Sequence, residues 1–454
     1  MRDVLAILLA GGQGTRLEPL TRDRAKPAVP FAGCYRIIDF TLSNCLNSGM
    51  KKILVLTQYK SAGLDRHVHA GWNHCFPSAN GSYLEVVPPQ RLGSDVSYRG
   101  TADAVFKNLH SLEKSGAKYV LVLAGDHVYK MDYRAMVDEH QKSGAAVTVA
   151  CVRVPVVAAA RQFGVMSIDR SSRITEFAEK PACPRPIPGD AEHSLASMGI
   201  YVFSTDFLLT ELSNHATRLA DEPDFGHHVL PRIIDKGLAS AHEFRGVDTD
   251  RAYWRDVGTL EAYYQASMEL LNTPPTLDFF DARWPIRTFE PSLPAPRVLL
   301  ADRRGVRIRP ARANVICPGT TVARARVEGC ILGRNCRIEE DAVLENCILF
   351  DRVKVGPGAT VRRAILDEDV FIEAGAIVDA SLARDASADI AVTSNMITCV
   401  TKGARIDTPR PTRRNRSTRA INGAPRHSSW IRTDKPSDER HVHVDIEPLH
   451  AIGE

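Results

Sequence analysis

Apolar positions along residues 1–272 follow two alternating rhythms. The unbroken apolar run at 4–9 predicts a strand buried on both faces, since neither face of it is polar, and the mostly apolar segments 52–56, 119–123 and 146–154 also read as strands. Helical spacing of apolar residues predicts helices at Ile37–Asn47, stopped by Gly49, and at 102–114. Their alternation predicts an α/β fold built on a Rossmann-like, mainly parallel sheet covered on both faces. In such sheets ligands gather at the carboxyl ends of strands. Gly11-Gly12 and Gly125-Asp126-His127 both fall at such ends, so two separate strands point to one site.

Between 273 and 300 the rhythm stops. Pro274, Pro275, Pro285, Pro291, Pro294 and Pro296 exclude helix and stiffen the chain, which predicts a linker. From 301 to 407 short apolar triplets replace the long runs. The segments 326–342, 343–359 and 360–376 align without gaps. Val327/Leu344/Val361, Ile331/Ile348/Ile365, Ile338/Val355/Ile372 and Ala342/Ala359/Ala376 occupy equivalent positions, and Cys330/Cys347/Ala364 repeat a small residue. A meander of ordinary strands has no need of three matched repeats, whereas a solenoid whose coils bury one another does. The pattern resembles the left-handed parallel β-helix of hexapeptide-repeat proteins, with its cysteines as inward-facing small residues. Residues 408–454 lack apolar periodicity and read as a mobile tail. Its arginines Arg410, Arg413, Arg414, Arg416 and Arg419 could touch a polyanion, but a solvated run is the simpler reading, and nucleic acid is not expected as a partner.

With 454 residues there is room for two or three domains and a sizeable core. The net charge is +4, of which the tail supplies +3 (nine Lys/Arg against six Asp/Glu), leaving +1 for the rest. Bulk charge is therefore no argument for nucleic acid. The sequence shows neither eighteen consecutive apolar residues nor a basic flank leading into an apolar stretch and cleavage site. Neither a membrane span nor a secretory signal is expected. The ten cysteines have no C-x-x-C spacing, and several fall in apolar strands, as free thiols of a reducing cytoplasm do.

The chemistry is densest after the first apolar run, in Leu8-Leu9-Ala10-Gly11-Gly12-Gln13-Gly14-Thr15-Arg16-Leu17, closed by Lys26-Pro27. Glycines let backbone N–H groups surround phosphate oxygens, and Arg16 and Lys26 add two cations suited to a triphosphate. The spacing is neither the Rossmann fingerprint nor a P-loop, because no Gly-Lys-Ser/Thr opens the next helix. Mg²⁺ favours one or two carboxylates plus substrate phosphates. Asp126 and Asp256, the latter within Trp254-Arg255-Asp256-Val257-Gly258, are the candidates. A strand-end Asp also serves as a helix cap, so these residues alone leave Asp256 open.

The glycine loop resembles the signature of sugar-1-phosphate nucleotidyltransferases. Further segments are similar to the glucose-1-phosphate adenylyltransferase family: Arg24-Ala25-Lys26-Pro27, Tyr35-Arg36-Ile37-Ile38-Asp39-Phe40, Tyr98-Arg99-Gly100-Thr101-Ala102-Asp103, Glu179-Lys180-Pro181 and Ser197-Met198-Gly199. The resemblance implies adenylyl transfer from ATP to glucose 1-phosphate with release of pyrophosphate. It implies that Gly11, Gly12, Gly14 and Thr15 cradle the ATP phosphates while Arg16 and Lys26 grip them, and that Asp126 and Asp256 bind Mg²⁺. Lys180 is implied for the sugar phosphate, Glu179 for sugar hydroxyls, and Tyr98, Gly164 and Ser197 for the rest of that pocket. Gln90, Gly100 and Thr101 are implied for adenine and ribose. Bacterial members are typically homotetramers that supply glycogen synthesis and answer to phosphorylated metabolites, which implies regulatory roles for Arg24, Arg36, Gln58 and Ser97. Asp23, Pro30 and Ser97 depart from a familiar enteric pattern of Lys, His and Trp, so the implied activator is one other than fructose 1,6-bisphosphate, such as fructose 6-phosphate. Two alternatives stay open: a UTP- or dTTP-using enzyme on the same fold, and a non-catalytic regulatory subunit.

Overall fold

The computed structural model describes residues 1–78, 81–89, 97–218, 221, 223–247, 252–279, 281–300, 313–380 and 389–408. Strand Val4–Ala10 lies at the centre of a nine-stranded sheet, parallel to Lys52–Thr57 on one side and Tyr119–Ala124 on the other. Leu5 and Ile7 enter the core on one face, and Val4, Ala6, Leu8 and Ala10 enter the core on the other. Both faces are dry, which is why the run carries no polar position. The order is Ile174–Glu179, Gly164–Ile168, His193–Ser204, Tyr119–Ala124, Val4–Ala10, Lys52–Thr57, Tyr83–Val87. Val147–Pro155 also pairs with His193–Ser204 and carries Ala239–Glu243. Seven of these nine strands run one way; His193–Ser204 and Ile174–Glu179 run against them. The sheet is thus mainly parallel. No described helix is long and apolar enough to cross a membrane.

Helix Ile37–Asn47 forms with the expected bounds, and its residues from Ile37 to Cys45 are all buried. The single helix expected at 102–114 is instead two, Thr101–Phe106 and Leu109–Ser115. Asn108 separates them: its amide donates to Ala104 O at 2.8 Å and to Tyr98 Oη at 3.1 Å. A side chain that bonds back to the preceding turn competes with helix propagation.

The proline-rich segment packs against helix Ile37–Asn47. Trp284 and Ile286 are buried. Trp284 Nε1 donates to Asn44 Oδ1 at 2.9 Å, Arg287 N–H donates to Ser43 Oγ at 2.9 Å, and Asn47 Nδ2 donates to Pro285 O at 3.0 Å. Prolines prevent regular structure as far as Pro296, but apolar side chains between them still find a surface to bury against; the end of the expected linker, Arg297–Leu300, is already a strand paired parallel with Thr321–Glu328 of the β-helix.

The C-terminal part is a parallel β-helix with a seventeen-residue rung, since Arg326 pairs with Val343 and Val343 with Thr360. Val327, Leu344, Val361, Cys330, Cys347 and the three repeated alanines line its interior. Ile348 and Ile365 leave that interior and join Phe31, Phe40 and Tyr263 in a second cluster, which binds the β-helix to the N-terminal part. The repeat breaks after Val378. Ile365 pairs next with Cys399, thirty-four residues on (399 − 365), and Ile390–Val392 folds back antiparallel on Thr398–Val400.

Candidate active site

Three parallel strands deliver their carboxyl ends to one cavity of about 520 Å³. Val4–Ala10 brings Gly11, Gly12, Gly14, Thr15 and Arg16; Lys52–Thr57 brings Gln58; and Tyr119–Ala124 brings Asp126. Tyr98, Gly100 and Thr101 close the opposite wall. Gly100 has a packing reason to be glycine: a β-carbon there would lie 2.7 Å from Pro223 O. Thr101 Oγ1 donates to Asp224 Oδ1 at 3.0 Å and accepts from Phe225 N–H at 3.0 Å, so its hydroxyl is engaged in holding the wall. Asp224, Tyr201 and Arg99 also line the cavity. Sequence reasoning did not single them out as ligands, because they carry no spacing signal of their own.

Asp126 and Asp256 are 130 residues apart in sequence (256 − 126) and meet through a two-stranded ribbon. His127–Tyr129 pairs antiparallel with Trp254–Asp256, setting Asp256 opposite His127. Lys26 Nζ lies between the carboxylates, 2.9 Å from Asp126 Oδ2 and 2.9 Å from Asp256 Oδ1. Burial opposes the Lys26 charge, but the two carboxylates outweigh it and raise its pKa. Burial likewise opposes ionisation of Asp126, and Lys26 and then His127 outweigh it, bringing the carboxyl down to about 2. Asp126, His127 and Asp256 offer ligand atoms within 4.8 Å of one another. Two carboxylate oxygen donors brought together by this ribbon suit a hard divalent cation. Arg16 approaches the same point, with Nη2 only 3.2 Å and Asp256 Oδ1 3.1 Å from where a Gly258 β-carbon would stand.

Gly164, Glu179 and Lys180 form a second group. A β-carbon on Gly164 would stand 2.7 Å from Glu179 Oε2, and one on Gly226 3.0 Å from it, so both glycines make room for this carboxylate. Lys180 Nζ is 3.2 Å from Glu179 Oε1 and half exposed. Its backbone takes a left-handed φ of 50° just past the strand end, held by its N–H bond to Phe163 O at 3.1 Å. Such strain collects at functional positions. Ser197 Oγ accepts from Gly199 N–H at 3.3 Å within an irregularity of strand His193–Ser204, which brings Gly199 to the cavity wall. Tyr98, expected in the sugar pocket, lines the glycine-loop cavity while its ring packs on the hydrophobic core and its hydroxyl accepts from Asn108.

The four regulatory candidates have different surroundings, although Arg24 and Arg36 both face Glu368 of the β-helix. Gln58, expected to serve regulation, lines the glycine-loop cavity. It accepts from Tyr98 N–H and donates to Tyr98 O, both at 3.2 Å, and its β-carbon would touch one on Gly11 at 3.0 Å. Ser97 is exposed, and its carbonyl accepts from Lys107 Nζ at 2.8 Å. Arg24, expected to be open to an anion, is clamped by Asp367 of the β-helix at 2.8 and 3.0 Å. Arg36 donates to Ala28 O. Burial lowers its pKa against the pull of Glu368. Asp23 is exposed and Pro30 buried. Gln90 and the tail from 409 onward lie outside the described residues.

Comparison with known proteins agrees with this geometry. Residues 5–273 match the nucleotidyl transferase family, and residues 296–400 match the GlmU-like C-terminal hexapeptide family. Proteins named glucose-1-phosphate adenylyltransferase are similar over most of their length. That of Rhodopirellula baltica is 48% identical over 347 residues, 76% of this chain and 78% of the relative. One from Vibrio parahaemolyticus is 47% identical over 350 residues, 76% of this chain and 85% of its own. That of Paraburkholderia phytofirmans is 46% identical over 343 residues, 74% of this chain and 81% of its own. In this chain a glycine-loop cavity, a carboxylate ribbon bridged by a lysine and an attached β-helix accompany this extensive identity, and the chain belongs to the glucose-1-phosphate adenylyltransferase family.

Proposed function

We propose that this protein transfers the adenylyl group of ATP to glucose 1-phosphate, giving ADP-glucose and pyrophosphate for glycogen synthesis. The observation that carries the reading is Lys26 held between Asp126 and Asp256 at the wall of the glycine-loop cavity. A phosphate oxygen of the sugar attacks the α-phosphorus in line while pyrophosphate departs. Positioning and charge neutralisation do most of this work. Arg16 and Lys26 grip the ATP phosphates over Gly11, Gly12, Gly14 and Thr15. Lys180 holds the sugar phosphate, and Glu179 accepts bonds from sugar hydroxyls. Asp126 and Asp256 would hold Mg²⁺, which would neutralise charge on the phosphate oxygens.

A homotetramer in the cytoplasm, answering to phosphorylated metabolites, completes the reading. Because Arg24 is already paired, Arg36 is the better anion contact of the two. The test is pyrophosphate release from ATP and glucose 1-phosphate with Mg²⁺, run beside UTP and dTTP. Strong turnover with UTP and none with ATP overturns the adenylyl assignment. No turnover with any nucleotide overturns the catalytic reading in favour of a regulatory subunit.

A further inference from the structure

Helix Ile37–Asn47 is buried from Ile37 to Cys45, yet it carries Thr41, Ser43 and Asn44 there, and buried Ser48 follows its last turn. A buried polar side chain costs free energy unless it finds a partner. These side chains find partners in two directions. Thr41, Asn44 and Ser48 recur at helical spacing and share one face. All three bond to the backbone of one segment, 124–133. Thr41 Oγ1 donates to Ala124 O at 3.0 Å, and Asn44 Nδ2 donates to Tyr129 O at 3.1 Å. Asn44 Oδ1 accepts from Met131 N–H at 3.2 Å, and Ser48 Oγ accepts from Tyr133 N–H at 2.9 Å. Ser43 and Asn47 lie on the other side of the helix and bond to the proline-rich segment instead.

The segment held by the first face carries Asp126. The sheet supports it as far as Gly125, whose N–H donates to Leu9 O at 3.1 Å. The chain then leaves the sheet. Asp126 stands at that departure, and His127–Tyr129 pairs with Trp254–Asp256 alone among the described strands. A ribbon of two short strands is a weak support on its own. The helix supplies the rest, by fixing the backbone at Ala124 before Asp126 and at Tyr129 and Met131 after it.

We propose that Thr41 and Asn44 are positioning residues for the metal site. Neither lines the cavity. They act through the backbone of Asp126 and through the ribbon that sets Asp256 beside it. The proposal rests on the reading of Asp126 and Asp256 as metal ligands. A small divalent cation accepts carboxylate oxygens over a narrow range of distance, so a ligand whose backbone can shift binds it less well. A role in stability alone would not single out this face. Ser43 Oγ accepts from Arg287 N–H at 2.9 Å and Asn47 Nδ2 donates to Pro285 O at 3.0 Å, bonds of the same kind on the same helix, made to a segment without Asp126.

The test titrates the full-length protein with Mn²⁺, reads the free ion by its electron paramagnetic resonance, and separately finds the Mg²⁺ concentration that half-saturates turnover. Thr41→Val keeps the shape of the side chain and removes its hydroxyl, whereas Thr41→Ser keeps the hydroxyl. Thr41→Val and Asn44→Ala are each expected to weaken Mn²⁺ binding and to raise the half-saturating Mg²⁺ by about tenfold, the lower end of what outlying supports of a metal site contribute. The KM for glucose 1-phosphate should change little. Thr41→Ser, Ser43→Ala and Asn47→Ala should match the parent. Parent-like Mn²⁺ binding in Thr41→Val overturns the proposal, whether or not Asn44→Ala folds. An equal loss in Ser43→Ala or Asn47→Ala overturns it too, in favour of a role in stability. Asp126→Ala that matches the parent in Mn²⁺ binding overturns the ligand reading itself. A parent without turnover overturns the proposed function, while the Mn²⁺ comparison still decides the positioning.

Discussion

Lys26 and Arg24 are two residues apart, both buried, and each faces two carboxylates, yet they act in different regions. Lys26 bridges Asp126 and Asp256 at the wall of the cavity, where these side chains keep 33% and 22% of their exposure. Arg24 meets Asp367 and Glu368 in the seam with the β-helix, where the corresponding values are 3% and 9%. An open carboxylate can exchange a lysine for a metal ion or a substrate's counter-charge. An enclosed one cannot, because no incoming group reaches it. Burial pushes the Asp367 carboxyl above its ordinary range while Arg24 pulls it back. The seam pair is therefore a strut whose value lies in being complete, whereas the pocket carboxylates stay open to an incoming cation.

The largest effect should come from breaking the pocket side. Asp126→Ala is expected to lower kcat by about 10³-fold or more, through loss of a metal ligand, with little change in thermal unfolding. Near-normal kcat at saturating Mg²⁺ would show that Asp126 is no ligand. Breaking the seam should do the opposite. Asp367→Ala leaves Arg24 buried without its main partner and should cost about 3–5 kcal/mol of stability, read by denaturant unfolding. A stable Asp367→Ala protein with poor turnover would reverse the roles of the two regions.

A buried group with no charged partner calibrates the comparison. His140 is enclosed, touching Thr148 Oγ1 at 2.8 Å and Ser204 Oγ at 3.2 Å, and burial brings its pKa down from 6.5 to about 4. Between those values the unfolded chain takes up a proton that the folded chain refuses. Stability is therefore full above pH 6.5, falls as pH drops toward 4, and loses nothing more from this group below that. The loss should approach about 3 kcal/mol and be missing in His140→Gln, measured as unfolding free energy against pH. An unchanged pH slope in that variant would mean the histidine is not the group responsible.

Within the pocket, Lys180→Ala should raise the KM for glucose 1-phosphate by about tenfold to a hundredfold, the worth of a charge-assisted bond of about 1.5–3 kcal/mol. A selective rise in the KM for ATP would place Lys180 on the other substrate. The smallest effect should follow from replacing the whole strut. Arg24→Met with Asp367→Leu is expected to stay within about 1 kcal/mol of the parent, because both desolvation costs vanish together. Destabilisation as severe as that of Asp367→Ala alone would mean that the ion pair itself, rather than its completeness, holds the seam.

The sequence by itself determined the α/β sheet and the repeat. Leu5, Ile7 and Leu8 leave no polar face, and the seventeen-residue spacing admits one coil size; both are local patterns that read directly. The glycine loop was legible for the same reason, since its glycines and cations stand within one short stretch. Tertiary structure decided everything that depends on two distant segments meeting. Only the ribbon of His127–Tyr129 and Trp254–Asp256 makes Asp256 a partner of Asp126. Only the packing of Ile348 and Ile365 against Phe31 turns repeat residues into a seam. Arg24 and Gln58 show the same limit. A sequence records that a cation or an amide is present, but its role is set by which carboxylate or backbone group the fold brings within about 3 Å, the distance a hydrogen bond requires.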